Sequence, residues 1–168
     1  MTISMYEASV PAFVSMLNNL SAMLDKAQAY AESKKVAPAV LPASRLFIDM
    51  FPLSKQVQIA CDFAKGTVAR LAGIEIPKYE DNELTIDELK ARIAKTIAFV
   101  ESVAAAQING SEDKEITLSV GGQEMKFKGQ PYLLGFSLPN FYFHLTTAYN
   151  ILRHNGVEIG KRDFMGLV

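Results

Sequence analysis

The side chains able to carry chemistry in this sequence are few: one cysteine, Cys61, and two histidines, His144 and His154. Ten residues separate the histidines within one helical stretch, about 15 Å along a helix axis. One metal ion cannot therefore bridge them within a chain. No CxxC, HExxH or EF-hand loop occurs, which argues against all-protein zinc and calcium sites of those types. No GxGxxG, P-loop or GxSxG occurs either, so the usual phosphate cradles and the hydrolase nucleophile elbow are missing. A nucleophilic pair would have to join Cys61 to His144 or His154. Cys61 lies on an apolar helical stripe, however, and reads as a buried, inert thiol. No catalytic residue is assigned on this basis. The densest group of unusual side chains is Asn140, Phe141, Tyr142, Phe143 and His144, followed by Tyr149. Asn140 and His144 are four apart and share a helix face. Two readings stand side by side: a packed core with a satisfied histidine, or a polar pocket in which His144 titrates near neutral pH.

The elements that must hold these residues follow from periodicity. Phe13, Leu17, Leu20, Leu24 and Ala27 recur at helical spacing between Ser9 and Ser33, with Pro11 in the first turn. Pro38 and Pro42 predict an extended connection after it. A second helix is expected from Pro52 to Gly73, with Val57, Cys61, Ala64, Val68 and Leu71 on one face and Asp49 capping its entry. Gly66 inside it suggests a close crossing with another helix. Thr85 and Glu88 form a capping box that starts a third helix, with Leu89, Ile93, Ile97, Val100 and Ala104 as its stripe, ending near Ala106. From Lys114 to Lys128 the period falls to two around Gly121-Gly122, the pattern of a β-hairpin. A lone hairpin is marginal in water, so it should lie over the helices or pair with another copy. The fourth helix is expected to start at Ser137-Leu138-Pro139 and stop at Gly156. The tail that follows is read as too short for another element. The expected fold class is all-α: a four-helix bundle with a small β-hairpin inserted between helices 3 and 4, forming one domain over residues 1–168.

Composition narrows the partners. The chain has 168 residues, 49% hydrophobic and 21% charged, with a net charge of −1. That length suits one domain with a core that needs no staples. Five arginines, none in a basic stripe, predict no nucleic-acid binding. No run of about 18 apolar residues predicts a membrane span, and the N-terminus lacks the pattern of a signal peptide. A single cysteine excludes an internal disulfide and suits a reducing, cytoplasmic location.

Two blocks carry a resemblance. DMFPLSKQVQIACDFAKGTVARLAG and FYFHLTTAYNILRHNGVEIGKRDFMG resemble an uncharacterised bacterial domain family of the DinB-like superfamily, over nearly the whole chain. The resemblance implies a four-helix bundle, commonly a homodimer. Many members hold a divalent metal with three histidines, one on helix two and an HxxxH pair on helix four; some relatives are thiol S-transferases or maleylpyruvate isomerases. Aligned on Leu152, Arg153 and Gly156, His144 falls on the second HxxxH position and Asn140 on the first, while Gln56 takes the helix-two position. Amide oxygens are poor ligands for zinc or nickel. The resemblance thus implies a degenerate metal site with no cofactor, or at most a divalent metal on His144. What remains is a candidate pocket for a small polar ligand, formed by Gln56, Asn140 and His144 with Tyr142 or Tyr149 nearby. The alternatives are a divalent-metal-dependent thiol S-transferase-like enzyme, its ligands completed by water, Asp49 or a partner subunit, and a purely structural or interaction dimer.

Overall fold

The structure, a computed structural model, describes residues 3–167. Four long helices form the bundle: α1 (Val10–Ser33), α3 (Leu53–Ala72), α4 (Ile86–Ser102) and α7 (Leu138–His154). One-turn helices punctuate the connections: α2 (Val40–Ala43), α5 (Ala105–Ile108), α6 (Gly129–Pro131) and α8 (Lys161–Met165). Strands β1 (Glu115–Val120) and β2 (Gln123–Lys128) form an antiparallel hairpin between α5 and α6, that is, between the third and fourth long helices. The molecule is therefore a mainly helical bundle with one small hairpin, as the periodicity predicts.

The stripes expected of the first two long helices are buried, while α4 buries Leu89, Ile93 and Val100 but leaves Ile97 half-buried and Ala104 exposed beyond its end. Phe13, Leu17, Leu20, Leu24 and Ala27 of α1 are fully buried, as are Val57, Cys61, Ala64 and Val68 of α3. α3 is central, packing along both α4 and α7, while α1 closes the bundle against α4 and α7. Gly73 ends α3 in the left-handed conformation, with φ 73°. The Thr85–Glu88 capping box is formed reciprocally at the start of α4. Gly121 and Gly122, both at positive φ, supply the turn that carries Val120 opposite Gln123. The hairpin lies over the helices: Ile116 is buried, and Leu118 and Phe127 pack against the core. Its root is tied to the end of α3, where the Lys114 ammonium donates to the Leu71 carbonyl at 3.1 Å.

Several boundaries differ from expectation. α4 stops at Ser102 because Val103 turns extended and the Gln107 side chain caps the Ala104 amide at 3.0 Å, restarting the chain as α5. The proline-containing connection holds one helical turn, α2, and Asp49 does not cap α3: Pro52 occupies the cap position with no side-chain bond. The tail forms α8, in which Asp163 accepts the Gly160 amide at 2.7 Å and Asn19 of α1 donates to the Phe164 carbonyl at 3.1 Å. Most consequential for the site, the chain ahead of α7 is already helical. Residues Tyr132–Ser137 form a π-helical turn running directly into it. A proline within a continuous helix collides with the carbonyl four residues back, here that of Gly135, and a wider turn relieves that clash at Pro139.

Candidate functional site

The site grows from two facing stripes. On α3, Gln56, Phe63 and Arg70 are spaced by seven, so they line one face over four turns. On the π-helical turn and α7, Phe136, Asn140 and His144 are spaced by four. The stripes meet in antiparallel order: Gln56 with His144 at one end, Phe63 with Phe136 in the middle, and Arg70 with Tyr132 at the other.

At the first end, Gln56 is buried, and its side-chain NH2 donates to the Phe51 carbonyl at 3.1 Å. That bond fixes which way the amide faces, so its oxygen is the acceptor for His144 Nδ1 at 2.7 Å. The imidazole must then carry its proton on Nδ1, leaving Nε2 as a lone-pair acceptor. The ring of Phe63 stacks on His144 with centroids 6.1 Å apart and planes 20° apart. Burial holds the His144 pKa below its usual value and favours the neutral ring. Asn140 lies one turn away, its amide donating to the Phe136 carbonyl at 2.7 Å.

In the middle and at the far end the groove opens into a cleft of about 410 Å³ between α3, the π-helical turn and the hairpin. Asp62, Phe63, Arg70, Tyr132, Phe136 and Asn140 line it, together with β1 residues 118–120 of the hairpin. Arg70 donates to the Tyr132 hydroxyl at 3.2 Å, and that hydroxyl also lies 3.3 Å from Thr67 Oγ1 in the core. Thr67 is hydrogen-bonded in turn to Ser137.

Of the residues expected at the pocket, Gln56 and His144 are hydrogen-bonded at one end of the groove, and Asn140 lines the cleft itself. Tyr142 and Tyr149 do not join them. Tyr142 is partly exposed with its ring edge-on to Phe141, and Tyr149 packs edge-on against Phe164 of α8. They sit on another face of α7, two and five residues from His144. Residues that sequence reasoning missed are Phe63, Arg70, Tyr132 and Phe136. The seven-residue recurrence of Gln56, Phe63 and Arg70 was the signal for the α3 side. Gly66 also has a different role from the helix crossing expected of it. The atoms nearest to where its Cβ would stand belong to the Arg70 guanidinium, with Nη1 at 2.6 Å.

The metal set implied by the family resemblance does not fit these residues. The Gln56 oxygen already serves His144, which leaves the His144 Nε2 as the one imidazole donor beside neutral amide oxygens, a weak set for zinc or nickel. Among the described residues no three His, Cys, Asp or Glu side chains cluster as ligands. Cys61 is fully buried and its thiol is pushed up to about 12 by desolvation, so it supplies no thiolate.

The crystal structure of a DinB family member from Shewanella denitrificans is similar with a TM-score of 0.87 and 46% sequence identity, covering 96% of this chain and 91% of that one. No curated protein matches. The helical bundle with its inserted hairpin is thus DinB-like. Residues 5–165 match the model of a domain of unknown function, DUF1993, and the chain belongs to that family.

Proposed function

We propose that this DinB-like protein is a cytoplasmic small-molecule-binding bundle whose ancestral metal position has been rebuilt as a hydrogen-bonding site. The observation that carries the reading is the Phe51–Gln56–His144 relay, which leaves Nε2 of a neutral imidazole unprotonated one helical turn from Asn140, which lines the cleft. Such a nitrogen accepts a hydrogen bond from a ligand N–H or O–H, and the Phe63 ring beside it supplies an apolar wall. Metal-dependent thiol transfer is the weaker reading, because amide oxygens do little to offset the desolvation of a dication.

Two measurements test this. In ligand-observed NMR against benzamide, uracil and nicotinamide, binding is expected for the native protein and lost in a His144→Ala variant that remains folded by circular dichroism. Binding that persists in a variant of lowered melting temperature would make the relay a purely structural network. Metal analysis of untagged protein purified without chelators is expected to give far less than one ion per chain. A stoichiometric ion that disappears in His144→Ala would restore the enzyme reading.

A further inference from the structure

The charges around the hairpin-covered cleft are unequally satisfied. Asp62 is neutralised twice, by Arg92 and by Lys65, each at 3.0 Å. Arg70, on the opposite edge, meets only the uncharged hydroxyl of Tyr132, and among the described residues no carboxylate stands within ion-pair distance of it. The cleft therefore offers one uncompensated guanidinium with most of its donors unused.

Its position is held from two sides. Tyr132 is buried and braced by Thr67, so the hydroxyl that receives Arg70 is fixed from within the core. On α3 itself, the absence of a side chain at Gly66 makes the space that Nη1 occupies. A glycine in a helix interior opposes helix propensity, and here the guanidinium is what benefits from it. The walls beside Arg70 are aromatic: Phe63 and Phe136 stand with ring centroids 5.9 Å apart and planes tilted by 59°, and Phe127 of the hairpin backs Phe136 at 5.2 Å. Asn140 lines the same cleft one turn before His144.

We infer that the cleft binds a small aromatic carboxylate, its carboxylate paired with Arg70 and its ring against Phe63 and Phe136, with a polar group at the other end of the ring directed toward Asn140. A planar carboxylate matches a guanidinium fork, and the two aromatic walls select a flat apolar body over an aliphatic acid or inorganic anion. This assignment rests on the small-molecule reading above and names its ligand class.

The probes are 4-hydroxybenzoate and its uncharged isostere 4-hydroxybenzamide, titrated into ¹⁵N-labelled protein. The carboxylate is expected to bind about tenfold more tightly than the amide, the scale of a charge-assisted hydrogen bond. Arg70→Met should erase that difference. Gly66→Ala should weaken the carboxylate severalfold without lowering the melting temperature, because alanine favours the helix while displacing the guanidinium. Equal affinity for the two probes would overturn the carboxylate assignment and leave the small-molecule reading in place. Preference for the carboxylate that survives both variants would remove Arg70 from the site and overturn the assignment too. If neither probe binds at millimolar concentration while the neutral probes above do, this inference alone fails; if those also fail to bind, both fall.

Discussion

Partial burial disfavours the charged form of the His144 imidazole, and the bond that Nδ1 donates to Gln56 sets the tautomer of the neutral ring. Its folded pKa is depressed below the ordinary 6.5 that the unfolded chain restores. The unfolded state therefore takes up the proton first as the solution is acidified. Stability contributed by His144 is fully present above pH 6.5 and is lost as pH falls from there through the lower folded value. His144→Gln should remove that loss, so its melting temperature should change less than the native protein's between pH 7 and 5. Equal slopes in a thermal-shift series would mean that the ring is as solvated when folded as when unfolded. Cys61, deep in α3 and with its thiol pushed up to about 12, stays outside this chemistry and contributes packing.

Among the elements, the long connection from α3 to α4 has no helix or strand of its own and is held by side chains of the flanking helices: Lys55 pairs with Asp81, Gln58 donates to Glu83, and Arg92 makes the most contacts. Arg92 of α4 has only 2% of its side chain exposed and pairs with Asp62 of α3 and with Asp81 and Glu83 of the connection, each at 3.0 Å. It also donates to the Glu80 carbonyl at 3.1 Å and lies over the Tyr79 ring. Removing one partner of a buried ion pair leaves charges without compensation. Because Asp62 and Asp81 are 42% and 36% exposed, Arg92→Met is expected near the low end of that effect, about 3 kcal/mol by urea unfolding. A cost below about 0.5 kcal/mol would show solvent already screening the cluster. Features set by neighbours along the chain were legible beforehand. The capping box of Thr85, the left-handed stop at Gly73 and the Gly121-Gly122 turn each depend on a few adjacent residues. α8 has a local start in Asp163 and a local stop in Gly166, but its docking depends on Asn19 and Lys26 of α1, which no local pattern announces. The groove was legible on its Asn140–His144 side, where the spacing lies within one helix. The Arg70–Tyr132 side needed the π-helical turn to bring it into place.

At the scale of the whole molecule, apolar side chains gather at the Gln56–His144 end of the groove. Phe47, Ile48 and Phe51, in the connection that feeds α3, are 66%, 83% and 55% exposed, and Phe143 beside His144 is 58% exposed. We expect a homodimer that covers part of this rim. Sedimentation velocity should give a mass that rises toward twice 18.5 kDa with concentration, with Phe47→Asp and Phe143→Asp shifted toward monomer. A native monomer at every concentration would leave the rim to ligand access alone. No described helix is long and apolar enough to cross a membrane. The π-helical turn ahead of Pro139 has a final bearing on how such a chain can vary. A π turn holds one residue more than the α turn it replaces, so deletion of a single residue within 132–137 is expected to close the same span as an α turn, with little net rotation of its flanks. Tyr132 would stay near Thr67 and Arg70, and the cost would fall on Pro139, whose ring would again meet the carbonyl four residues back. What a lost codon removes here is the relief at Pro139, not the alignment of the two ends of the groove.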